Sequence, residues 1–312
     1  MAAFAFIFPG QGSQSVGMLD AWGDHPAVRG ALAEASDALG LDVAALIHDG
    51  PAELLGLTEN TQVVMLTAGV ACYRAWIADG GAPPLAVAGH SLGEYSALVA
   101  AGALTLSDAV PLVRFRAQAM QAAVPVGAGA MVAVLGLEAD AVRAACSQAQ
   151  ADAGEPVSAA NFNEPKQIVI AGTKAAVARA CELLKAAGAK RTLPLPVSAP
   201  FHSVLMKPAA DRLAERLQAV TIATPTMAVV NNIDVRVETD PARIRDALYR
   251  QAYGPVRWVE VMQALHGRGI GHVVECGPGK VLSRMVARIV PDLPSGALFD
   301  PASLAEIRGQ LS

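Results

Sequence analysis

Residues 84–102 read PLAVAGHSLGEYSALVAAG, and their centre is GHSLG at 89–93. The apolar run Leu85–Ala88 predicts a buried strand, and Glu94–Ala101, rich in Ala, Leu and Val, predicts a helix. A G-x-S-x-G pentapeptide between a strand and a helix is typical of a nucleophile elbow. Side chains two residues to either side of the serine would collide in so sharp a turn, so glycines stand there. The turn would lift Ser91 to the helix N-terminus, where backbone amides stabilise an oxyanion.

Taken alone, the pentapeptide has a second interpretation. In a chain with 28 Gly among 312 residues, G-x-S-x-G arises by chance in roughly one sequence in ten. Ser91 would then be the N-cap of a helix at an ordinary strand-to-helix turn. A nucleophile, in contrast, needs a base and oxyanion donors from elsewhere in the chain.

The composition favours layered helices and strands. Hydrophobic residues make up 53% of the chain and aromatic residues only 4%, so Ala, Val and Leu fill the core.

The net charge of −4 argues against nucleic acid as a partner. No run approaches the ~18 apolar residues of a membrane span. Met1–Phe8 lacks the basic start and the cleavage site of a signal peptide, so we interpret it as a first strand.

The cysteine and histidine patterns argue against a disulfide framework and against a metal site. No C-x-x-C pair is present, and the cysteines lie in apolar segments, which indicates buried free thiols in a reducing cytosol. The six histidines show no metal-ligand spacing. The cysteines are Cys72, Cys146, Cys181 and Cys276.

Most predicted strands alternate with predicted helices, which indicates an α/β fold with a mainly parallel sheet covered on both faces. Active groups in such sheets gather beyond the carboxyl ends of the strands. The strands are expected at Ala3–Phe8, Leu85–Ala88, Met227–Val230 and His272–Glu275, and the turns that follow them carry Gln11, Ser91, Asn231 and Gly277.

One segment departs from this alternation. From Ala130 to Leu195 the pattern predicts β-α-β-β-α-β, the order of a ferredoxin-like unit. We therefore expect two domains: a hydrolase-like catalytic domain over 1–127 and 199–312, and an inserted ferredoxin-like small domain over 128–198.

The turn after the first strand reads PGQGSQ over 9–14. It lacks the G-x-x-x-x-G-K-[ST] of a phosphate loop and the G-x-G-x-x-G of a dinucleotide site. An oxyanion-hole turn that partners the elbow remains possible, as does a plain strand-to-helix connection.

Two further stretches carry candidate functional side chains. A helix predicted over Ser107–Ala122, with Ser107 as N-cap, places Arg114 and Arg116 on different faces. If one points inward without a carboxylate partner, it indicates an anionic ligand; two solvated arginines are the alternative.

His202 ends a proline-bounded crossing between the domains, where it is a general-base candidate or an ordinary loop histidine.

Several motifs agree with one family. The chain resembles the acyl-carrier-protein malonyltransferases that load malonyl groups for bacterial fatty-acid synthesis. The resemblance runs over nearly the whole chain, in the family's order and spacing. Besides the Arg116 helix, the motifs are FPGQGSQ at 8–14, GHSLGEY at 89–95, NFN at 161–163, APFHS at 199–203, VNN at 230–232, QAYGPVRW at 251–258 and ECGPGKVL at 275–282.

The resemblance implies a role for each catalytic position. Ser91 matches the nucleophile that carries the malonyl ester, and His202 matches the base that activates it. Gln11 and Leu92 match the residues whose backbone amides form the oxyanion hole.

Four substrate-binding positions are implied in the same way. Arg116 matches the arginine that pairs with the malonyl carboxylate. Gln251 matches the residue whose main-chain carbonyl orients the histidine. His90 belongs to the family signature, and Phe201 fits the malonyl-preferring pattern.

The resemblance also implies the substrates and partners. Malonyl-CoA would donate the malonyl group, and the phosphopantetheine thiol of acyl carrier protein would receive it in a ping-pong reaction without a cofactor or a metal. Carrier proteins are acidic, so a basic docking surface is expected, with Lys185, Lys190 and Arg191 as candidates. We expect a cytoplasmic monomer with no nucleic-acid or membrane partner.

Three other functions stay open. A serine esterase or thioesterase shares the elbow and the base, but Arg116 and the lack of an obvious acid after Ser91 count against it. A silent scaffold that only binds carrier protein would not need Ser91, His202 and Arg116. A trans-acting acyltransferase of a polyketide pathway is barely separated from fatty-acid synthesis by sequence.

Overall fold

The computed structural model describes residues 3–197 and 199–311. The first two and last residues of the expected large domain, and Ser198 at the expected domain boundary, lie outside the described residues. The strands are β1 (Phe4–Phe8), β2 (Ala86–Gly89), β3 (Gly129–Leu135), β4 (Val157–Glu164), β5 (Gln167–Thr173), β6 (Arg191–Pro194), β7 (Ala228–Val230), β8 (His272–Cys276) and β9 (Ser295–Leu298).

The helices complete the alternation that the sequence predicts. They are α1 (Pro26–Leu39), α2 (Val43–Asp49), α3 (Ala52–Leu55), α4 (Thr58–Ala78), α5 (Gly93–Ala100), α6 (Leu106–Ala122), α7 (Ala139–Ala153), α8 (Lys174–Ala186), α9 (Lys207–Gln218), α10 (Pro241–Tyr253), α11 (Trp258–Gly267), α12 (Val281–Ile289) and α13 (Pro301–Leu311).

A five-stranded sheet with the order β7-β2-β1-β8-β9 organises the larger part of the molecule. All its paired strands are parallel. The central strand β1 is buried throughout, and its alternate residues face two separate hydrophobic clusters. The cluster that contains Phe6 also takes in α4, α5 and α6, whereas the cluster that contains Ile7 takes in α11 and α12. The sheet is therefore covered on both faces, as the strand–helix alternation predicts.

A second sheet has the order β4-β5-β3-β6, and its pairs are antiparallel. Helices α7 and α8 pack on it around a separate hydrophobic cluster. The edge strand β4 joins this sheet to the rest of the molecule. The Phe162 amide donates to the Val256 carbonyl at 2.9 Å, and the Val256 amide donates to the Ala160 carbonyl at 2.9 Å. Arg288 on α12 pairs with Glu164 at 2.5 Å.

The structure differs from the sequence prediction at one cap and in four elements. Helix α6 begins earlier than expected, because Thr105 and not Ser107 is the N-cap and its side chain accepts from the Asp108 amide. The sequence analysis did not predict α2, α3, β9 or α13. The strand β9 reads SGAL, which has weak strand propensity, and forms through its parallel pairing with β8.

Candidate functional site

The elbow lies between β2 and α5. Ser91 has a φ of 52°, a left-handed conformation that costs energy in a non-glycine residue and marks functional turns. A Cβ at Gly89 would lie 1.9 Å from the Gly93 carbonyl carbon, and one at Gly93 would lie 2.1 Å from the Phe8 carbonyl oxygen. Both flanking glycines are therefore required by close backbone contacts.

Asn232, directly after β7, holds the strained turn. Its Oδ1 accepts from the Ser91 amide at 2.7 Å, and its Nδ2 donates to the Gly89 carbonyl at 2.7 Å. Because the Ser91 amide is occupied in this way, it is not free to bind a substrate oxygen. Asn232 belongs to the VNN motif, but the sequence pattern gives it no role beyond that of a polar residue directly after a buried strand.

Ser91 and His202 form a hydrogen-bonded pair. Ser91 Oγ lies 2.7 Å from His202 Nε2. The other ring nitrogen, Nδ1, lies 3.0 Å from the Gln251 carbonyl oxygen and 3.2 Å from that of Gly254. Since carbonyls only accept hydrogen bonds, Nδ1 carries the proton and Nε2 is free to accept from the serine.

The electrostatics of the site keep the imidazole neutral. Burial, together with the nearby charge of Arg116, lowers the pKa of His202 to about 3. A neutral Nε2 is the form that removes a proton from a hydroxyl. The structure thus brings together the nucleophile and base positions that the sequence places 111 residues apart.

Arg116 points into the site from α6 and is only 2% exposed. Its Nη1 donates to Gln62 Oε1 at 2.9 Å, and its Nη2 donates to Gln251 Oε1 at 3.0 Å and to Ser91 Oγ at 3.2 Å. Within the described residues it has no carboxylate hydrogen-bond partner. A buried guanidinium with neutral partners retains the capacity to bind an anion. Of the two arginines considered, Arg116 is the inward one.

Gln62 was missed by the sequence analysis. It lies in α4 between the buried residues Thr61 and Val63 and is itself buried. Its side-chain oxygen accepts a hydrogen bond from Arg116 Nη1. A single glutamine within the otherwise apolar helical stretch QVVML was the available signal.

The Gln11 turn packs directly against the elbow. A Cβ at Gly10 would lie 2.7 Å from the His90 carbonyl oxygen, so the two turns touch through their backbones. Gln11 and Leu92 both line the cavity at Ser91. Within residues 3–197 and 199–311, neither backbone amide donates to a protein acceptor. Both amides are available to a developing oxyanion.

A cavity of about 140 Å³ lies over Ser91 between the two sheets. His90 lines it and is held by Asn163, whose Oδ1 lies 2.8 Å from His90 Nε2, and by the ring of Trp258. Phe201 supplies an apolar wall. The other lining residues are Gln11, Gln62, Ser91, Leu92, Arg116, Met120, Met131, Asn161, Leu195, Val197 and His202.

The candidate docking cations are exposed but do not line the cavity. Arg191 pairs with Leu135 in the β3–β6 register, at the opposite end of β3 from Met131, which does line it. Lys190 precedes Arg191, and Lys185 is in the last turn of α8.

The arrangement suits covalent acyl exchange. It combines an activated hydroxyl, a neutral base, two free amides and a guanidinium placed for an anionic end of the acyl group. In the part of the chain that the structure describes, no three His, Cys, Asp or Glu residues gather as metal ligands. No helix among the same residues has the length and apolar character needed to cross a membrane.

Comparison with known proteins identifies relatives over the full chain. The model of the acyl transferase domain family matches residues 5–307. The malonyl CoA-acyl carrier protein transacylase of Salmonella typhimurium is 53% identical over 306 residues, which cover 98% of each chain. The crystal structure of the acyl-carrier-protein S-malonyltransferase from Burkholderia pseudomallei is 63% identical, with a TM-score of 0.96 over 98% of this chain and 99% of that one.

A further solved structure contains a partner. It is a malonyl-transacylase in complex with its type II PKS acyl-carrier protein, and it is 48% identical to this chain. The TM-score is 0.96, and the match covers 99% of this chain and 100% of that chain.

Proposed function

The chain belongs to the malonyl CoA-acyl carrier protein transacylases of the acyl transferase family, and on this premise we propose that it transfers a malonyl group from malonyl-CoA to acyl carrier protein through an ester on Ser91. One observation carries the proposal. The buried guanidinium of Arg116 lies 3.2 Å from the nucleophile Oγ and has no carboxylate hydrogen-bond partner among the described residues. An acyl group that ends in a carboxylate complements it.

The first half of the reaction forms the acyl-enzyme. His202 Nε2 takes the Ser91 proton as Oγ attacks the thioester carbonyl of malonyl-CoA. The amides of Gln11 and Leu92 stabilise the negative charge that develops on the carbonyl oxygen. The carbon–sulfur bond then breaks, and His202 returns the proton to the departing CoA thiolate.

In the second half of the reaction, the malonyl group leaves Ser91 for acyl carrier protein. The phosphopantetheine thiol of acyl carrier protein gives its proton to His202 and attacks the malonyl ester. The ester bond to Ser91 breaks, and the serine oxygen recovers the proton from His202. One base therefore serves both half-reactions, and no cofactor is required.

The substrate-binding roles follow from the same contacts. The Arg116 fork would pair with the malonyl carboxylate in a bidentate manner, which a lysine could not match. Phe201 and His90 would confine the short acyl chain beside it. The Gln251 carbonyl would keep the imidazole in the tautomer that accepts from Ser91.

Holding the base with carbonyls, without a carboxylate, makes the imidazole a weaker base. We propose that this limits the activation of water and hence the hydrolysis of the malonyl ester. A carboxylate placed beside His202 Nδ1 should raise the ratio of hydrolysis to transfer. An unchanged ratio would reject this explanation.

The proposal also includes the folds of the two domains, the cellular compartment and the oligomeric state. The strand order β6-β3-β5-β4, with two helices on one face, supports a ferredoxin-like small domain over 128–198. The elbow at the carboxyl end of an internal strand of a parallel sheet supports a hydrolase-like large domain over 1–127 and 199–312. The four unpaired cysteines fit a cytoplasmic enzyme, and we keep the monomer as the expected state.

A polyketide pathway is the second candidate setting for the same chemistry. The 48% identity to a malonyl-transacylase solved with a type II PKS acyl-carrier protein supports it. The two pathways would be distinguished by measuring the rate of malonyl transfer to a fatty-acid acyl carrier protein and to a polyketide acyl carrier protein.

Intact-mass measurement tests the proposed function. Brief mixing with malonyl-CoA should add one malonyl group to the protein, and carrier protein should then remove it and gain the same mass. Loss of the group as free malonate, at the same rate with or without carrier, would indicate a hydrolase. A protein that gains no mass would indicate a scaffold.

A further inference from the structure

We propose that Glu94 is a positioning residue that sets the orientation of the Gln251 side-chain amide and, through it, the guanidinium of Arg116. The proposal rests on the proposed function, because its readout is the use of a carboxylate-bearing acyl group. Glu94 lies in the first turn of α5, three residues after the nucleophile, and is only 2% exposed.

Glu94 contacts both residues that hold the site together. Its Oε2 accepts from Gln251 Nε2 at 3.0 Å and from the Asn232 amide at 2.9 Å. Gln251 in turn accepts from Arg116 with its side-chain oxygen and from His202 with its backbone carbonyl. Glu94 touches no reacting atom, so its effect on the reaction passes through these neighbours.

The direction of the Gln251 amide follows from donor and acceptor chemistry. A carboxylate only accepts and a guanidinium only donates. Gln251 therefore turns Nε2 toward Glu94 and Oε1 toward Arg116. In the flipped amide, Oε1 would face the carboxylate and Nε2 would face the guanidinium, and both contacts would be repulsive. Gln251 Nε2 also donates to the Ser91 carbonyl at 3.0 Å, so a neutral residue at 94 leaves the amide oriented only by Arg116 and this carbonyl and holds it less firmly.

The second contact of Glu94 acts on the elbow. Asn232 gives its backbone N–H to Glu94, while its side chain binds the Ser91 amide and the Gly89 carbonyl. This contact influences the nucleophile for any acyl group. The Gln251 contact also reaches Arg116, on which a carboxylate-bearing acyl group depends most strongly, because Arg116 would pair with that carboxylate in addition to its contact with Ser91 Oγ. Loss of Glu94 should therefore affect malonyl transfer more than acetyl transfer.

Charged and titratable groups surround Glu94. Arg116 on α6, Tyr95 on α5, and Asp234 and Glu238 in the segment after β7 lie around it, and His202 is held by the same Gln251. Burial raises the pKa of Glu94 to about 7, although Gln251, Asn232 and Arg116 oppose the rise.

The titration of Glu94 determines how the preference for malonyl over acetyl changes with pH. Above a pH near 7 the carboxylate is present and the Gln251 amide is fixed. Below that pH the protonated carboxyl is a weaker acceptor for Gln251 Nε2, so the amide is held less firmly. The preference for malonyl over acetyl should therefore fall as the pH falls through 7.

Two variants and one ratio test the proposal. Acyl-enzyme formation from malonyl-CoA and from acetyl-CoA would be measured by intact mass, between pH 5 and 9, in the wild type, Glu94→Gln and Glu275→Gln. Glu275 is a matched control, because it is also fully buried but accepts from the Ser283 amide at the start of α12, away from Ser91. Thermal unfolding would show that each variant is folded.

We expect Glu94→Gln to lower the malonyl-to-acetyl rate ratio about tenfold at pH 8 and to remove its pH dependence. Glu275→Gln should keep the wild-type ratio. Equal losses of both rates, or an unchanged ratio, would overturn the proposal. If Glu94→Gln does not fold, the wild-type ratio decides: a rise through pH 7 supports the role, and a flat ratio rejects it. A wild type that takes up no malonyl would instead reject the proposed function.

Discussion

His202 Nδ1 lies 3.0 Å from the backbone carbonyl oxygen of Gln251. The base is thus oriented by a neutral acceptor, with a second carbonyl, that of Gly254, at 3.2 Å. The same Gln251 binds Arg116 through its side chain. One residue therefore links the group that moves the proton to the group that recognises the acyl chain.

Replacing Ser91 by Ala should abolish acyl-enzyme formation, because Ser91 is the hydroxyl that is paired with His202 among the residues that the structure describes. The measurement is intact mass after mixing with malonyl-CoA. Ser96→Ala is the control, since Ser96 is a buried serine on α5, the helix that follows the elbow; that variant should acylate normally. A persistent mass gain in Ser91→Ala would show that the acyl group is carried elsewhere.

Replacing Arg116 by Ala should reduce malonyl transfer about a hundredfold or more, because charge-assisted hydrogen bonds to the malonyl carboxylate are lost. Acetyl transfer should fall much less, so the preference shifts toward acetyl. Arg114→Ala, two residues away on α6 and outside the cavity lining, should keep the wild-type preference. The role of Arg116 would be contradicted by an unchanged ratio of malonyl to acetyl transfer.

Replacing His202 by Asn should change how stability depends on pH. The pKa of His202 is about 3 in the folded protein against an ordinary value of 6.5. The unfolded chain therefore binds more protons between these values, and the folded state loses stability as the pH falls below 6.5. From pH 8 to 5, this loss is about 2 kcal/mol.

Urea unfolding at both pH values measures this effect. Asn tolerates the left-handed backbone of residue 202, whose φ is 59°, and it does not titrate. The variant should therefore lose about 2 kcal/mol less than the wild type between pH 8 and 5. The variant His266→Asn, which replaces an exposed histidine on α11, is the control for the substitution itself. Identical losses in the wild type and His202→Asn would show that His202 titrates normally in the folded protein.

Replacing Gly89 by Ala should destabilise the protein by about 3 kcal/mol or more, because the new Cβ would lie 1.9 Å from the Gly93 carbonyl carbon. Gly30→Ala is the matched control. Gly30 is exposed within α1, and a Cβ there would meet nothing within 4 Å, so this change should stabilise by about 0.5–1 kcal/mol. Equal unfolding midpoints for the two variants would contradict the close-contact explanation.

The sequence was informative wherever local chemistry determines structure. The elbow, the sheet covered on both faces and the candidate roles of Ser91 and His202 follow from glycine spacing, apolar runs and the recognised motifs. The α/β class with a mainly parallel sheet is confirmed by the structure. The helical pattern alone left open which arginine of α6 points inward, because spacing gives their separation but not the direction of the core; only the family resemblance indicated Arg116.

The polar framework was harder to predict. Gln62, Asn232 and Glu94 act through hydrogen bonds between segments up to 157 residues apart, and no local pattern reports such a partner. Short elements such as α3 and β9 were missed for a related reason, since packing and strand pairing stabilise them more than propensity does.

The path of the chain has a consequence for biosynthesis. Ser91 precedes the four-stranded sheet and His202 follows it, and the cross-links of β4 to Val256 and of Glu164 to Arg288 come from still later residues. A ribosome-bound chain that ends before Gln251 thus exposes a serine without an oriented base. We therefore expect a chain that stops before Gln251 to be unreactive toward thioesters, because His202 lacks the carbonyls that orient it.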